Sequence, residues 1–132
     1  MSNNRYLNLD RLAAQHAQTI IKETMDKKAS EVDNTITKAL GVLQENGVYA
    51  CFLYLLAKEK ENGPVVIQEM LNLLDELNFG WGKPENDDPE SVLVYISEKV
   101  TVNLERLLLA KETLEQMLIY ARYGAKAREK KK

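Results

Sequence analysis

The sequence predicts an all-α fold: a single compact bundle of five or six helices closed by a long C-terminal helix. Three observations carry that expectation. Apolar residues recur at spacings of three and four through most of the chain, which is the period of a helix and not of a strand. Glycine, proline and asparagine fall between those periodic stretches, with no alternating apolar–polar run of strand length. At 132 residues, with 45% hydrophobic and 29% charged side chains, the chain suits one folded domain.

The elements follow in order. A first helix is expected from Asn8 or Asp10 to about Lys28, its stripe made by Leu12, Ala13, Ala17, Ile20, Ile21 and Met25. Ser30 is the expected cap of a second helix carrying Val32, Ile36, Leu40 and Leu43, with Gly47 as its stop signal. Residues 48–60 form a third helix, apolar on every side through Ala57 and therefore expected at the centre of the bundle. Asn62, Gly63 and Pro64 break the chain, and Pro64 opens a fourth helix containing Val66, Ile67, Met70, Leu71, Leu74 and Leu77. Residues 79–89 hold two glycines and two prolines and read as the one substantial loop, with Trp81 stapling it to the core. A short fifth helix starts near Pro89.

The last helix is the most informative. Thr101 is its expected N-cap, and Leu104 opens the apolar pattern. Leu107, Ala110, Leu114, Met117, Ala121 and Gly124 form one stripe, with small residues that let another helix approach closely. Leu109, Ile119, Tyr120 and Tyr123 project from the other side, where a polar surface is the norm. Leu109, Tyr120 and Tyr123 are therefore the expected partner interface. The domain reading is one unit over residues 1–132, with residues 127–132 a basic tail free to be disordered.

Several function classes lose ground on composition. The net charge of −2 speaks against indiscriminate nucleic-acid binding. The charge is segregated, however: residues 106–132 carry eight basic and three acidic side chains, whereas 85–98 carry five acidic and no basic ones. The N-terminus lacks an apolar run of signal-peptide length, and the longest apolar run, residues 48–57, is too short to span a membrane. A single cysteine, Cys51, cannot pair internally, which suits a reducing cytoplasm.

No catalytic constellation emerges. His16 is the lone histidine and has no neighbour at metal-ligand spacing. Cys51 falls in the most apolar helix, where a thiol behaves as a small hydrophobe. No glycine pattern matches a phosphate-cradling loop. The expectation is a chain without catalytic residues, metal or cofactor.

Binding remains. Lys22, Lys27 and Lys38 cluster near the junction of the first two helices, and Arg122 and Lys126, four apart, share a face of the last. These five are the candidate nucleic-acid-binding residues, with Tyr120 and Tyr123 available for stacking. From residue types alone, a solvated charged face accounts for the same side chains.

The stretch Ala39-Leu40-Gly41-Val42-Leu43-Gln44-Glu45-Asn46-Gly47-Val48-Tyr49-Ala50-Cys51-Phe52-Leu53-Tyr54-Leu55-Leu56-Ala57-Lys58 resembles the central pattern of the small helical subunit of type III-B CRISPR effector (Cmr, RAMP-module) complexes. In that family a helix ends at Asn-Gly, and an apolar helix follows that finishes in a small residue and a lysine. Ala13, Ala14 and Ala17 give the opening helix a similar alanine-rich stripe. The family's last helix often carries an aromatic, a Lys-Arg pair and another aromatic. Here Ile119-Tyr120-Ala121-Arg122-Tyr123 keeps Arg122 and Tyr123 but has Ala121 in place of the lysine.

The resemblance implies a non-catalytic subunit in antiviral defence. Copies of it would stack into a filament that helps hold the guide RNA–target RNA duplex. Its partners would be the backbone and large subunits of the complex, further copies of itself and, through the complex, both RNAs, with no membrane involved. The alternative is a helical protein–protein adaptor with no RNA contact.

Overall fold

The computed structural model describes residues 7–130. Among the described residues there are six α-helices and no strand: α1 (Leu9–Glu23), α2 (Ala29–Asn46), α3 (Val48–Lys58), α4 (Gly63–Glu76), α5 (Pro89–Tyr95) and α6 (Leu104–Lys130). A π-helical turn, Ile96–Val100, links α5 to α6.

Asn8 starts α1, its Oδ1 accepting the Arg11 amide at 3.0 Å. The helix ends at Glu23, short of Lys28, with Thr24 at its C-cap, where the hydroxyl bonds back to the Ile20 carbonyl at 2.8 Å. Ser30 does not cap α2. Lys28 occupies the cap position without a side-chain bond, and Ala29 is already helical and buried. Gly47 separates α2 from α3 at φ +101°, a conformation in which a side chain would be strained. Two helices therefore turn a corner over a single residue. Pro64 falls in the first turn of α4, which begins one residue earlier at Gly63.

The third helix is not the centre of the bundle. Val48, Cys51, Phe52 and Leu55 are buried, but Tyr49 and Leu53 lie 40% and 46% exposed. An all-apolar helix here packs through one face and leaves apolar side chains outside, since folded surfaces are never fully polar. The organising element is α6, which lies against both α1 and α2. Its 27 residues span roughly 40 Å. Ala110, Leu114, Met117, Leu118, Ala121 and Ala125 are all essentially inaccessible along it. Gly124 is the point of closest approach: a Cβ there would lie 2.9 Å from Ile21 Cγ1 of α1.

Thr101 does not cap α6. Its hydroxyl donates to the Ser97 carbonyl at 2.8 Å, closing the π-helical turn, and Asn103 Oδ1 accepts the Arg106 amide at 3.0 Å instead. The basic tail is helical as far as Lys130, and residues 131–132 lie outside the described residues. Arg128 fastens this end of α6 to the α1–α2 turn. Its guanidinium donates to the Thr24 carbonyl at 2.9 Å and to the Lys27 carbonyl. Both are carbonyls at the C-terminal end of α1 or just past it, where a cation also meets the negative end of the helix dipole.

Loop 79–89 is tied down as its composition suggests. Trp81 is buried and meets Phe79 edge-on with centroids 4.9 Å apart, while the Arg106 guanidinium covers the other ring, 5.0 Å from the Phe79 centroid. Tyr95 donates its hydroxyl to the Gly82 carbonyl at 2.9 Å, and burial raises that phenol's pKa.

Phe52 is fully buried where α3 meets the core. Phe52→Ala is expected to cost about 3–5 kcal/mol in denaturant unfolding. Arg128→Ala, which removes one donor from the Thr24 carbonyl, still bonded by the Lys27 amide, and one from the Lys27 carbonyl, is expected to cost about 1–2 kcal/mol. A loss for Phe52→Ala smaller than that for Arg128→Ala would contradict the assigned core.

Candidate nucleic-acid interface

The five candidate cations do not form one line. Arg122 and Lys126 come together on the side of α6 that faces α2, where Ser30, Glu31, Asp33, Asn34 and Thr37 complete an open polar groove. Lys22 and Lys38 are exposed on α1 and α2, and neither lines the groove. Lys27 sits in the α1–α2 turn, where its ammonium meets Glu61 at 3.2 Å. Arg122 and Lys126 stand together because residues four apart on a helix share a face, whereas cations on different helices are placed by tertiary packing that local spacing does not encode.

The groove is not simply basic. Lys126 donates to Asp33 Oδ2 at 2.9 Å, and the Thr37 hydroxyl donates to Oδ1 of the same carboxylate at 3.0 Å. Burial alone would raise the Asp33 pKa. The bonds from Lys126 and Thr37, with the charges of Lys126 and Arg122, more than offset that and hold it below the ordinary 3.8. Arg122 packs its guanidinium 6.0 Å from the Tyr123 ring centroid, and its Nε is buried with no hydrogen-bond partner. Asp33 is the residue of this site that sequence reasoning missed. The signal available was the Asp33–Thr37 pair at helical spacing on the polar side of α2.

The three residues of the expected partner interface differ in their surroundings. Leu109 is half-buried, and Tyr120 folds into the α1–α6 seam, where its hydroxyl donates to Asp10. That bond, ahead of any burial, raises the Tyr120 pKa. Tyr120 thus takes part in the protein's own packing while still lining an open depression on the surface. Tyr123 alone of the three stays exposed, at 61%. The larger bare apolar surface lies at the other end of α6, where Val102, Leu104 and Leu108 are 72%, 67% and 55% exposed. Leu104 and Leu108 are four apart on the side away from the buried stripe, a pattern legible once Leu104 is not counted as core.

The remaining reactive side chains have structural surroundings. His16 is buried between α1 and α4, with Nδ1 2.8 Å from Glu69 Oε1 and Nε2 3.3 Å from Glu76 Oε1. Asn72 donates to Glu69 at 3.1 Å and accepts from Lys83 at 2.6 Å, so the cluster also tethers the start of the 79–89 loop. The two glutamates address opposite sides of the ring and do not converge on a common point. Among the described residues no group of three or more His, Cys, Asp or Glu side chains is placed to hold a metal ion. The Cys51 thiol donates to the Ala39 carbonyl at 3.4 Å, and burial pushes its pKa up to about 12, far from a reactive thiolate. Among the described residues no helix is long and apolar enough to cross a membrane.

No family model, curated protein or solved structure matches this chain.

The depressed Asp33 pKa has a definite pH consequence. The unfolded chain binds the proton more tightly than the folded one, so ionised Asp33 stabilises the fold above its unfolded value near 3.8, and that contribution fades as pH falls through the lower folded value. Asp33→Asn is therefore expected to flatten the loss of stability between about pH 4 and pH 2 while changing little of its shape above pH 5. Thermal melts of both proteins across that range check it. Parallel acid limbs would show that Lys126 and Asp33 do not interact in solution.

Proposed function

We propose that this chain is a non-catalytic small subunit of a type III-B CRISPR RNA-guided effector complex. In this reading its copies stack into a filament that helps hold the guide RNA–target RNA duplex, in the cytoplasm, beside the backbone and large subunits. The observation that carries the reading is the open groove between α2 and α6 in which Arg122 and Lys126 stand together. Two cations with Ser30, Asn34 and Thr37 beside them suit phosphate contact, which is independent of base sequence, although Glu31 and Asp33 on the same wall oppose it. The resemblance over residues 39–58 supports the same assignment, and its Asn-Gly junction coincides with the single-residue corner at Gly47. Individually weak contacts of this kind gain strength when the subunit is repeated along one duplex.

A second reading, a helical protein–protein adaptor without RNA contact, draws on a different observation. Val102, Leu104 and Leu108 leave an apolar surface at the start of α6 of the kind that marks protein contacts.

The two readings separate experimentally. Isolation of the tagged chain with its natural partners, followed by sequencing of bound small RNA, is expected to recover guide RNA under the first and protein partners alone under the second. Within such an assembly, changing Arg122 and Lys126 together to Glu is expected to weaken target-RNA retention for every sequence. The slope of log affinity against log salt should fall by about one for each phosphate that is no longer neutralised. Equal retention at every salt concentration would favour the adaptor.

A further inference from the structure

We infer that Asp33 gates the α2–α6 groove: in the free protein its carboxylate occupies Lys126, and an RNA phosphate binds there only by displacing it. The inference rests on the RNA-binding reading and adds a regulatory contact to it.

Three observations lead to it. Lys126 is one of the two cations that bring positive charge to the groove, and it is already satisfied by Asp33 at 2.9 Å. The carboxylate is itself held in position, since the Thr37 hydroxyl fixes its second oxygen at 3.0 Å. The two partners differ in exposure: the Asp33 side chain is 16% exposed and that of Lys126 is 43% exposed. An incoming phosphate oxygen can therefore reach the ammonium from solvent without unpacking α6. The neighbouring Arg122 lines the same groove, so its positive charge stands beside the pair.

The chemistry is a competition between two oxyanions for one ammonium. A carboxylate tethered in place has a high effective concentration, so a single free phosphate displaces it poorly. A duplex presents many phosphates at fixed spacing and engages Arg122 at the same time, which shifts the balance. The gate thus suppresses binding to isolated anions and short strands more than binding to a long duplex. Glu31, also on the groove wall, adds to the negative field that a phosphate must overcome.

The test is filter binding of a short RNA duplex by the full purified chain over a salt series from low to physiological. Asp33→Asn is expected to bind about fivefold more tightly at low salt, the factor for about 1 kcal/mol of removed charge competition in water. Its salt slope should steepen by about one, because Lys126 is now free to take a phosphate. Thr37→Val changes no charge but frees the carboxylate from its second anchor, and a smaller tightening in the same direction is expected. Glu45→Gln, an exposed change of the same charge outside the groove, is the control for net charge. Melting curves confirm that each variant is folded.

Equal tightening by Asp33→Asn and Glu45→Gln, or none with Asp33→Asn, overturns the gate. If Arg122 and Lys126 changed together to Glu abolish binding while Asp33→Asn leaves it unaltered, the gate falls and the RNA reading stands. Absence of binding by every variant, alone and in the isolated assembly, removes the RNA reading and the gate with it.

Discussion

The fold depends on one long helix being narrow enough to lie between two others. Ala110, Ala121, Gly124 and Ala125 keep the inner surface of α6 low, and α1 and α2 close over it from either side. Where a side chain as small as methyl would meet Ile21, the chain has Gly124. Close approach maximises dispersion contact and leaves little room for the large side chains that other bundles use as wedges. Leu114, Met117 and Leu118 supply the bulk instead, at the middle of the helix, where the core is deepest.

That geometry also decides what the two flanks of α6 are like. On the α1 side, Ala14, Ala17, Ile21, Gly124 and Tyr120 line a shallow, mostly apolar groove, and Tyr120 reaches Asp10 at its edge. On the α2 side, Arg122 and Lys126 meet a wall of Asp, Asn, Ser and Thr. One helix thus separates an apolar seam from a polar one. The charged pair at Asp33 is partly solvated, so its net contribution to stability is small, as for most ion pairs near a surface.

Helix periodicity made the all-α class legible, and the elements appear in the expected order because glycine, proline and asparagine mark nearly every break. The errors have a common physical origin. Local signals give the presence of a helix but not which of several candidate residues completes its end, so Ser30 and Thr101 gave way to Lys28 and Asn103. Apolar content gives burial only when a neighbour exists, so α3 kept Tyr49 and Leu53 outside. The bond from Tyr120 to Asp10 was not legible because the two residues are 110 apart in sequence. The role of Arg128 and the Lys126 half of Asp33's role were not legible for the same reason: they lie in contacts with groups from other elements. The Arg122–Lys126 half of the site was readable because both residues lie on one helix.

The position of α6 in the chain has a bearing on how the protein is made. Synthesis delivers α1 and α2 first, yet the surface on which both close is the last element of the described residues to leave the ribosome. At ordinary elongation rates that interval is on the order of ten seconds for the hundred or so residues between α1 and the far end of α6. Until then α1 has α4 to lean on and α2 has α3, but the stripes meant for α6 stay open to water. Closure of the core therefore waits on α6, whose far end is fastened to the α1–α2 turn by Arg128.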